Sequence, residues 1–167
     1  RGCHNVEGEG GDIQKYLKAK AQYPPPLEMG NYHVGERLKS SWLYSFLRSP
    51  TPVRTWIKVK MPTFAFSDQE VKGLTEYFEA MSPGAEYEAG VHKKKDNAVA
   101  QKGAEMVTYM DCGRCHDDGQ KGIEFSLASQ RLRQEWIPKW LKDTRSMIPW
   151  TPMPSHWVKD GDGYKVP

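Results

Sequence analysis

The sequence predicts a helical chain made of two tandem halves that repeat one another. Residues 37–47 and 131–141 align without gaps, and both follow the pattern Arg-Leu-basic-x-x-Trp-apolar-x-x-aromatic-Leu. A Met-Pro pair follows each segment, at Met61 and at Met153. The apolar positions within each segment have helical spacing, so we expect a tryptophan-bearing helix in each half.

The other elements of the first half are predicted from its prolines and from one capping motif. The tryptophan helix should end at Pro50, because proline lacks a backbone N–H and restricts the residue before it. Ser67 stands three residues before Glu70 and ahead of an apolar run, which is typical of a helix N-cap with a capping box. We therefore predict a second helix that follows Ser67 and stops near Ser82.

The second half is predicted to begin with a helix and to end without one. Apolar residues between Asn97 and Asp111 recur at helical spacing, whereas the sequence after Met153 is polar and contains glycine. We interpret residues 1–84 as a first domain that lacks its N-terminal helix, and residues 97–167 as a second domain that lacks its last helix. Residues 85–96 would be an exposed basic linker. The chain is therefore interpreted as truncated at both ends, either as an excerpt of a longer polypeptide or as a chain completed by neighbours.

Cys112-Gly113-Arg114-Cys115-His116 is the most informative motif of the chain. In this Cys-x-x-Cys-His pattern, the two thiols can form thioethers with the two vinyl groups of one haem, and the adjacent imidazole then lies under the iron. A zinc site would need about four Cys or His ligands, usually as two such pairs, and a redox dithiol is the other alternative. We predict that Cys112 and Cys115 bind a haem c and that His116 is its proximal ligand.

Cys3 and His4 match the last two residues of the same motif. Arg1-Gly2-Cys3-His4 is the end of Cys-Arg-Gly-Cys-His if a cysteine precedes Arg1, and the odd number of cysteines, 3, agrees with such a truncation. A haem held by one thioether through Cys3 is the alternative. His4 is the proximal ligand in either case, so the sequence predicts two haem c groups.

The second axial ligand of each haem is expected to be a methionine. Met61 and Met153 each follow a haem motif and a tryptophan helix, and a proline follows each of them. A thioether is a soft, neutral ligand that favours ferrous iron. Met147 and His156 remain alternatives to Met153. His33 could in principle compete with Met61, although it stands in a loop before the tryptophan helix.

Both halves resemble class I cytochrome c domains, in which a Cys-x-x-Cys-His motif precedes Trp-Leu-x-x-Phe-Leu-like and Met-Pro-x-Phe-like segments and a final helix. Residues 42–47 and 61–64 carry the resemblance most closely, and it covers most of the chain. The resemblance implies a small all-α fold around each haem, with one haem edge near the surface for electron exchange. The departures are the missing first cysteine, a proline-bearing insertion at residues 24–26 and the missing last helix of the second half.

Composition and the haem motif indicate which partners and which cellular compartment to expect. Of the 167 residues, 38% are hydrophobic, and no apolar run approaches the roughly 20 residues of a transmembrane helix. The formal charge of +3 leaves out the haem propionates, so it gives no indication of nucleic-acid binding. Covalent haem attachment in bacteria takes place outside the cytoplasmic membrane, so a periplasmic or otherwise extracytoplasmic location is expected.

The leading hypothesis is electron transfer through two haem c groups with His/Met ligation and no catalytic activity of the chain's own. The protein would be a dihaem cytochrome or the dihaem subunit of a respiratory complex, with redox proteins as partners and a membrane-bound respiratory complex among the candidates. The alternative is a dihaem enzyme, a peroxidase or a sulfur-compound oxidoreductase, with one open haem. The ambiguous ligand region from Met147 to His156 motivates that alternative.

Overall fold

The computed structural model of the chain describes residues 2–6, 9–15, 34–56, 59–82, 96–117, 121–148 and 151–165. These residues are mostly helical, as the sequence predicts. They contain eight α-helices: α1 (Val34–Arg37), α2 (Ser40–Arg48), α3 (Asp68–Ala80), α4 (Asn97–Tyr109), α5 (Gly113–His116), α6 (Phe125–Arg131), α7 (Trp136–Lys142) and α8 (Thr144–Met147). The insertion at residues 24–26, His33 and all of the predicted linker except Asp96 lie outside the described residues.

Two short antiparallel hairpins and one helical turn accompany the α-helices. Strand β1 (Asn5–Val6) pairs with β2 (Glu9–Gly10), and a 3₁₀-helix at Asp12–Lys15 follows them. Strand β3 (Val158–Asp160) pairs with β4 (Gly163–Lys165). The second hairpin occupies the polar stretch after Met153, where the sequence predicts that no helix forms. None of the helices in the described ranges is long and apolar enough to cross a bilayer.

The hydrophobic core lies in the first half, where α1 and α2 pack against α3. Its buried residues are Val34, Leu38, Leu43, Leu47, Val71 and Phe78. Burying a side chain of this size contributes roughly 1.5–3 kcal/mol. Met61 packs against this core, and so does Leu132 from the second half. The core therefore contacts the methionine of the first Met-Pro pair and extends to the junction with the second half.

The helix boundaries predicted at Pro50 and at Ser67 are confirmed. Helix α2 ends at Arg48, and Ser49 is its last capping residue before Pro50. Helix α3 begins after Ser67, whose hydroxyl accepts the Glu70 N–H at 3.3 Å. The Glu70 carboxylate accepts the Ser67 N–H in return at 2.8 Å. This capping box satisfies two donors that the helix itself leaves unpaired.

The repeated segments differ from the single helices that their spacing predicts. Leu38 and Leu132 form an isolated antiparallel bridge with each other, and α2 and α7 begin only after it. The Lys39 N–H donates to the Arg131 carbonyl and the Arg133 N–H donates to the Arg37 carbonyl, both at 2.9 Å. Pairing between the two halves thus replaces helical hydrogen bonds at the start of each segment. The periodicity of the apolar positions could not distinguish a continuous helix from a bridge between the halves followed by a shorter helix.

The helical part of each segment carries a stacked aromatic pair at equivalent positions. The Trp42 and Phe46 rings of α2 have centroids 4.8 Å apart, and the Trp136 and Trp140 rings of α7 have centroids 5.2 Å apart. Both pairs have an interplanar angle of 15°. Residues four apart lie on one face of a helix, which accounts for the contact. The sequence repeat therefore corresponds to a repeated local packing.

The second half contains little buried apolar surface. Helix α4 forms as predicted and is capped by Asp96, but no residue of this helix is buried. Val99 is 65% exposed and Tyr109 is 76% exposed. Trp136 is the buried hydrophobic residue of this half within the described ranges. Its secondary structure is therefore formed without a hydrophobic core comparable to that of the first half.

Candidate haem-binding sites

The two cysteines and the histidine of the second motif lie on one helical turn. Cys112 is the N-terminal cap of α5, and its carbonyl accepts the Cys115 N–H at 3.3 Å and the His116 N–H at 3.2 Å. No disulfide joins any two of Cys3, Cys112 and Cys115. Burial, assisted by the negative charge of Asp111, raises the pKa of the Cys112 thiol. The two cysteines and the imidazole of the motif therefore lie within one short stretch of backbone.

The His116 ring is held by a hydrogen bond and by an aromatic contact. Its Nδ1 lies 2.7 Å from the Ile123 carbonyl oxygen. A carbonyl oxygen only accepts, so Nδ1 carries a proton, and in the neutral ring Nε2 then has the lone pair that can bind a metal. The Phe125 ring stacks on the imidazole with the centroids 4.8 Å apart and an interplanar angle of 16°. This arrangement fixes both the tautomer and the direction of the ring, as is usual for histidine ligands.

Gly122 is required for this arrangement. A Cβ at this position would lie 2.7 Å from the Cys115 carbonyl oxygen and 2.8 Å from His116 Nδ1. Both distances are shorter than real contacts of a Cβ atom. Any other residue at position 122 must therefore displace the loop or the imidazole.

The first motif is followed by a hairpin that folds back onto it. The Gly11 N–H donates to the His4 carbonyl at 3.2 Å, and the Ile13 N–H donates to the Gly2 carbonyl at 2.8 Å. Cys3 is exposed and His4 is half-buried. Strands β1 and β2 with the following 3₁₀-helix thus fix the backbone on both sides of Cys3 and His4.

Met61 and Met153 lie in different surroundings. Met61 is half-buried against the apolar core beside α2 and α3. The Met153 sulfur accepts a hydrogen bond from Trp140 Nε1 at 3.1 Å, and the Met153 carbonyl accepts one from Thr144 Oγ1 at 3.1 Å. The second tryptophan helix thus holds the Met153 thioether directly. Met147, at the end of α8, and His156 are half-buried.

Arginines at the junction of the two halves belong to no motif that the sequence predicts. Burial, and then repulsion from Arg54, lowers the pKa of Arg37 to about 10. Burial, and then repulsion from Arg37 and Arg54, lowers the pKa of Arg131 to about 9. The sequence places Arg37 and Arg131 at equivalent positions of the repeat, but it gives no indication that these charged residues will be buried.

The second site has the residues that would hold a haem c: two cysteines on one turn and an imidazole whose Nε2 can coordinate. Within the described ranges, no group of three or more His, Cys, Asp or Glu side chains is placed to hold a bare metal ion. No protein-family model matches the chain, and comparisons with curated proteins and with solved structures find no match either.

Proposed function

We propose that this chain is an extracytoplasmic electron-transfer protein with two haem c groups, one in each of two tandem cytochrome c-like domains. Cys3 and His4 would hold the first haem, and Cys112, Cys115 and His116 the second. When bound, the haem iron supplies a one-electron redox couple. Redox proteins would be the partners, with a membrane-bound respiratory complex among the candidates.

The observation that carries the proposal is the state of the His116 ring. Its Nδ1 donates to the Ile123 carbonyl at 2.7 Å, which directs the Nε2 lone pair away from the loop. The hydrogen bond also makes the imidazole a stronger electron donor. Phe125 prevents the ring from rotating out of this position. A histidine oriented in this way, on the same turn as two cysteines, has what a proximal haem ligand needs.

The methionines would complete the axial pairs, His4 with Met61 and His116 with Met153. The Met61 thioether already lies against apolar side chains, which suits a neutral ligand. The Met153 sulfur is directed by Trp140 Nε1 from the adjacent helix. If these methionines bound the iron, a change in its charge would require little movement of the protein, because the fold holds both side chains in place.

The shortage of core in the second half also supports the proposal. Helix α4 and Phe125 expose apolar surface, and Phe125 is 45% exposed even though it stacks on His116. A domain of this size has difficulty in burying enough apolar surface by itself. A porphyrin next to His116 would supply apolar mass at the place where the protein lacks it.

Visible absorption and magnetic circular dichroism of the purified protein test the proposal. Both haems should be low-spin in both oxidation states, with the weak far-red band of methionine bound to ferric iron. The double variant Cys112→Ser/Cys115→Ser should retain the spectrum of the first haem only. A persistent high-spin fraction that binds carbon monoxide at neutral pH would instead favour an enzyme with one open haem.

A further inference from the structure

A buried threonine hydroxyl holds the main chain of Met153. Thr144, the first residue of α8, is fully buried. Its Oγ1 donates to the Met153 carbonyl at 3.1 Å and lies 2.9 Å from Ser155 Oγ. A carbonyl only accepts and a hydroxyl has one proton, so the Ser155 hydroxyl donates to Thr144. Ser155, Thr144 and Met153 therefore form a chain of hydrogen bonds that ends on the Met153 carbonyl oxygen.

Each hydrogen-bonding atom of Met153 is bound by a different group. The N–H donates to Thr151 Oγ1 at 3.2 Å, and the carbonyl oxygen accepts the Thr144 hydroxyl. The sulfur accepts a hydrogen bond from Trp140 Nε1 at 3.1 Å. A proline stands on each side of Met153 in the sequence and restricts the backbone further. The side chain is therefore held at both of its ends, at the main chain and at the sulfur.

Thr144 is itself fixed by its neighbours. The Asp143 carboxylate caps α8 by accepting the Ser146 N–H at 3.2 Å, and it forms an ion pair with Lys159 of β3 at 3.1 Å. The Thr144 carbonyl accepts the Ile148 N–H at 2.9 Å. A buried hydroxyl without a partner is costly. Thr144, held in this position, therefore stabilises the loop conformation that brings a carbonyl within its reach.

The other candidate ligands of the second haem are held less firmly. Met147 lies at the end of α8 and His156 lies ahead of the second hairpin, and both are half-buried. Among the described residues, no hydrogen bond reaches the Met147 sulfur or the His156 ring. Any of the three side chains could bind iron by its chemistry. A side chain that is already fixed loses less conformational entropy on binding, which favours Met153.

We propose that Thr144 is a positioning residue that holds Met153 as the axial ligand of the second haem, in preference to Met147 and His156. This inference rests on the proposed function. Thr144 acts through the Met153 carbonyl, which fixes the main chain from which the thioether extends. Trp140 fixes the other end of the same side chain. Removal of the Thr144 hydroxyl should therefore weaken the bond between methionine and iron without removing the ligand.

Imidazole titration of the ferric dihaem protein tests this role, because imidazole competes with an axial methionine for the iron. The readout is the loss of the far-red band of methionine bound to ferric iron, and Met153→Ala identifies the part of that band that belongs to the second haem. Thr144→Val leaves the Met153 carbonyl without its donor, so imidazole should bind the second haem about tenfold more tightly. Thr144→Ser keeps the hydroxyl and should bind imidazole as wild type does.

Thr108→Val is the matched control. The Thr108 hydroxyl also donates to a carbonyl at 3.1 Å, that of Ala104 within α4, and this threonine is exposed. Its replacement should leave the imidazole affinity of both haems unchanged. Urea unfolding measures the stability of each variant separately. A purely structural role of Thr144 would lower the stability of Thr144→Val but leave the imidazole affinity of its second haem at the wild-type value, which would overturn the inference.

A second variant decides the question if Thr144→Val is purified without its second haem. Ser155→Ala removes the other hydrogen bond of the chain at an exposed position, so imidazole should bind the second haem more tightly than in wild type. An unchanged affinity would overturn the inference. A far-red band that Met153→Ala leaves intact, in protein with two low-spin haems, would overturn the inference alone. Protein purified without haem would overturn the proposed function as well.

Discussion

Gly122→Ala should disrupt the second haem site while leaving the first intact. The added Cβ would lie 2.8 Å from His116 Nδ1 and 2.7 Å from the Cys115 carbonyl oxygen, so the ring must move. Movement breaks the hydrogen bond to Ile123, which is worth about 1 kcal/mol net. Overpacking of this kind costs about 1–3 kcal/mol more. We therefore expect the free energy of unfolding to fall by about 2–4 kcal/mol.

Two glycine-to-alanine controls separate this effect from the general cost of adding a methyl group. The atoms nearest to a Cβ at Gly113 belong to the flexible carboxylate of Asp117, and a Cβ at Gly103 on exposed α4 meets nothing within 4 Å. Gly103→Ala should stabilise the protein by about 0.5–1 kcal/mol, since alanine favours a helix. Urea unfolding measures the stabilities, and absorption with carbon monoxide measures the fraction of open second haem. If Gly122→Ala behaved like Gly103→Ala in both assays, the account of the His116 ring would be wrong.

Three further variants test other parts of the structure. Met61→Ala should leave the first haem attached but lower its potential and allow carbon monoxide to bind; an unchanged low-spin spectrum would mean that another residue is the ligand. Trp140→Phe keeps the stacked ring but removes the N–H donor to the Met153 sulfur, so the reduction potential of the second haem should fall. An unchanged reduction potential of that haem would rule out a hydrogen bond to a ligating sulfur. Ser67→Ala removes the N-cap of α3 and should cost about 1 kcal/mol in urea unfolding. Hydrogen bonds from Ser67 lower the pKa of Glu70 in the folded state, so the hydroxyl's bond to the Glu70 carboxylate contributes at neutral pH and is lost as the pH falls through that lowered pKa. The difference in stability between wild type and Ser67→Ala should therefore shrink in acid to what the cap on the Glu70 N–H contributes; a difference that does not change with pH would contradict this.

Local signals predicted the helices of the first half well. Ser67 and Glu70 set the start of α3, and Pro50 set the end of α2, because caps and prolines act over a few residues. The repeat was also visible, since Trp42 and Trp136 occupy equivalent positions and make equivalent stacking contacts. What the repeat did not reveal is that its first residues pair with each other.

Sequence patterns could not predict contacts between distant parts of the chain. The Leu38–Leu132 bridge has the same apolar periodicity as the helix start that was expected there. The motif identified His116, but not Ile123 as its hydrogen-bond partner, because any residue can supply a carbonyl oxygen. The burial of Arg37 depends on tertiary packing alone. The helical fold class could therefore be predicted, whereas the hydrogen-bond partners and the burial of individual side chains could not.

Mass spectrometry of haem peptides from the purified protein tests the central claim most directly. Proteolysis followed by peptide mapping determines which cysteines carry a covalent haem. We predict one haem on the peptide that contains Cys112, Cys115 and His116, and a second on the peptide that contains Cys3 and His4. A peptide with unmodified thiols at Cys112 and Cys115, from protein isolated with its cofactors, would contradict the account.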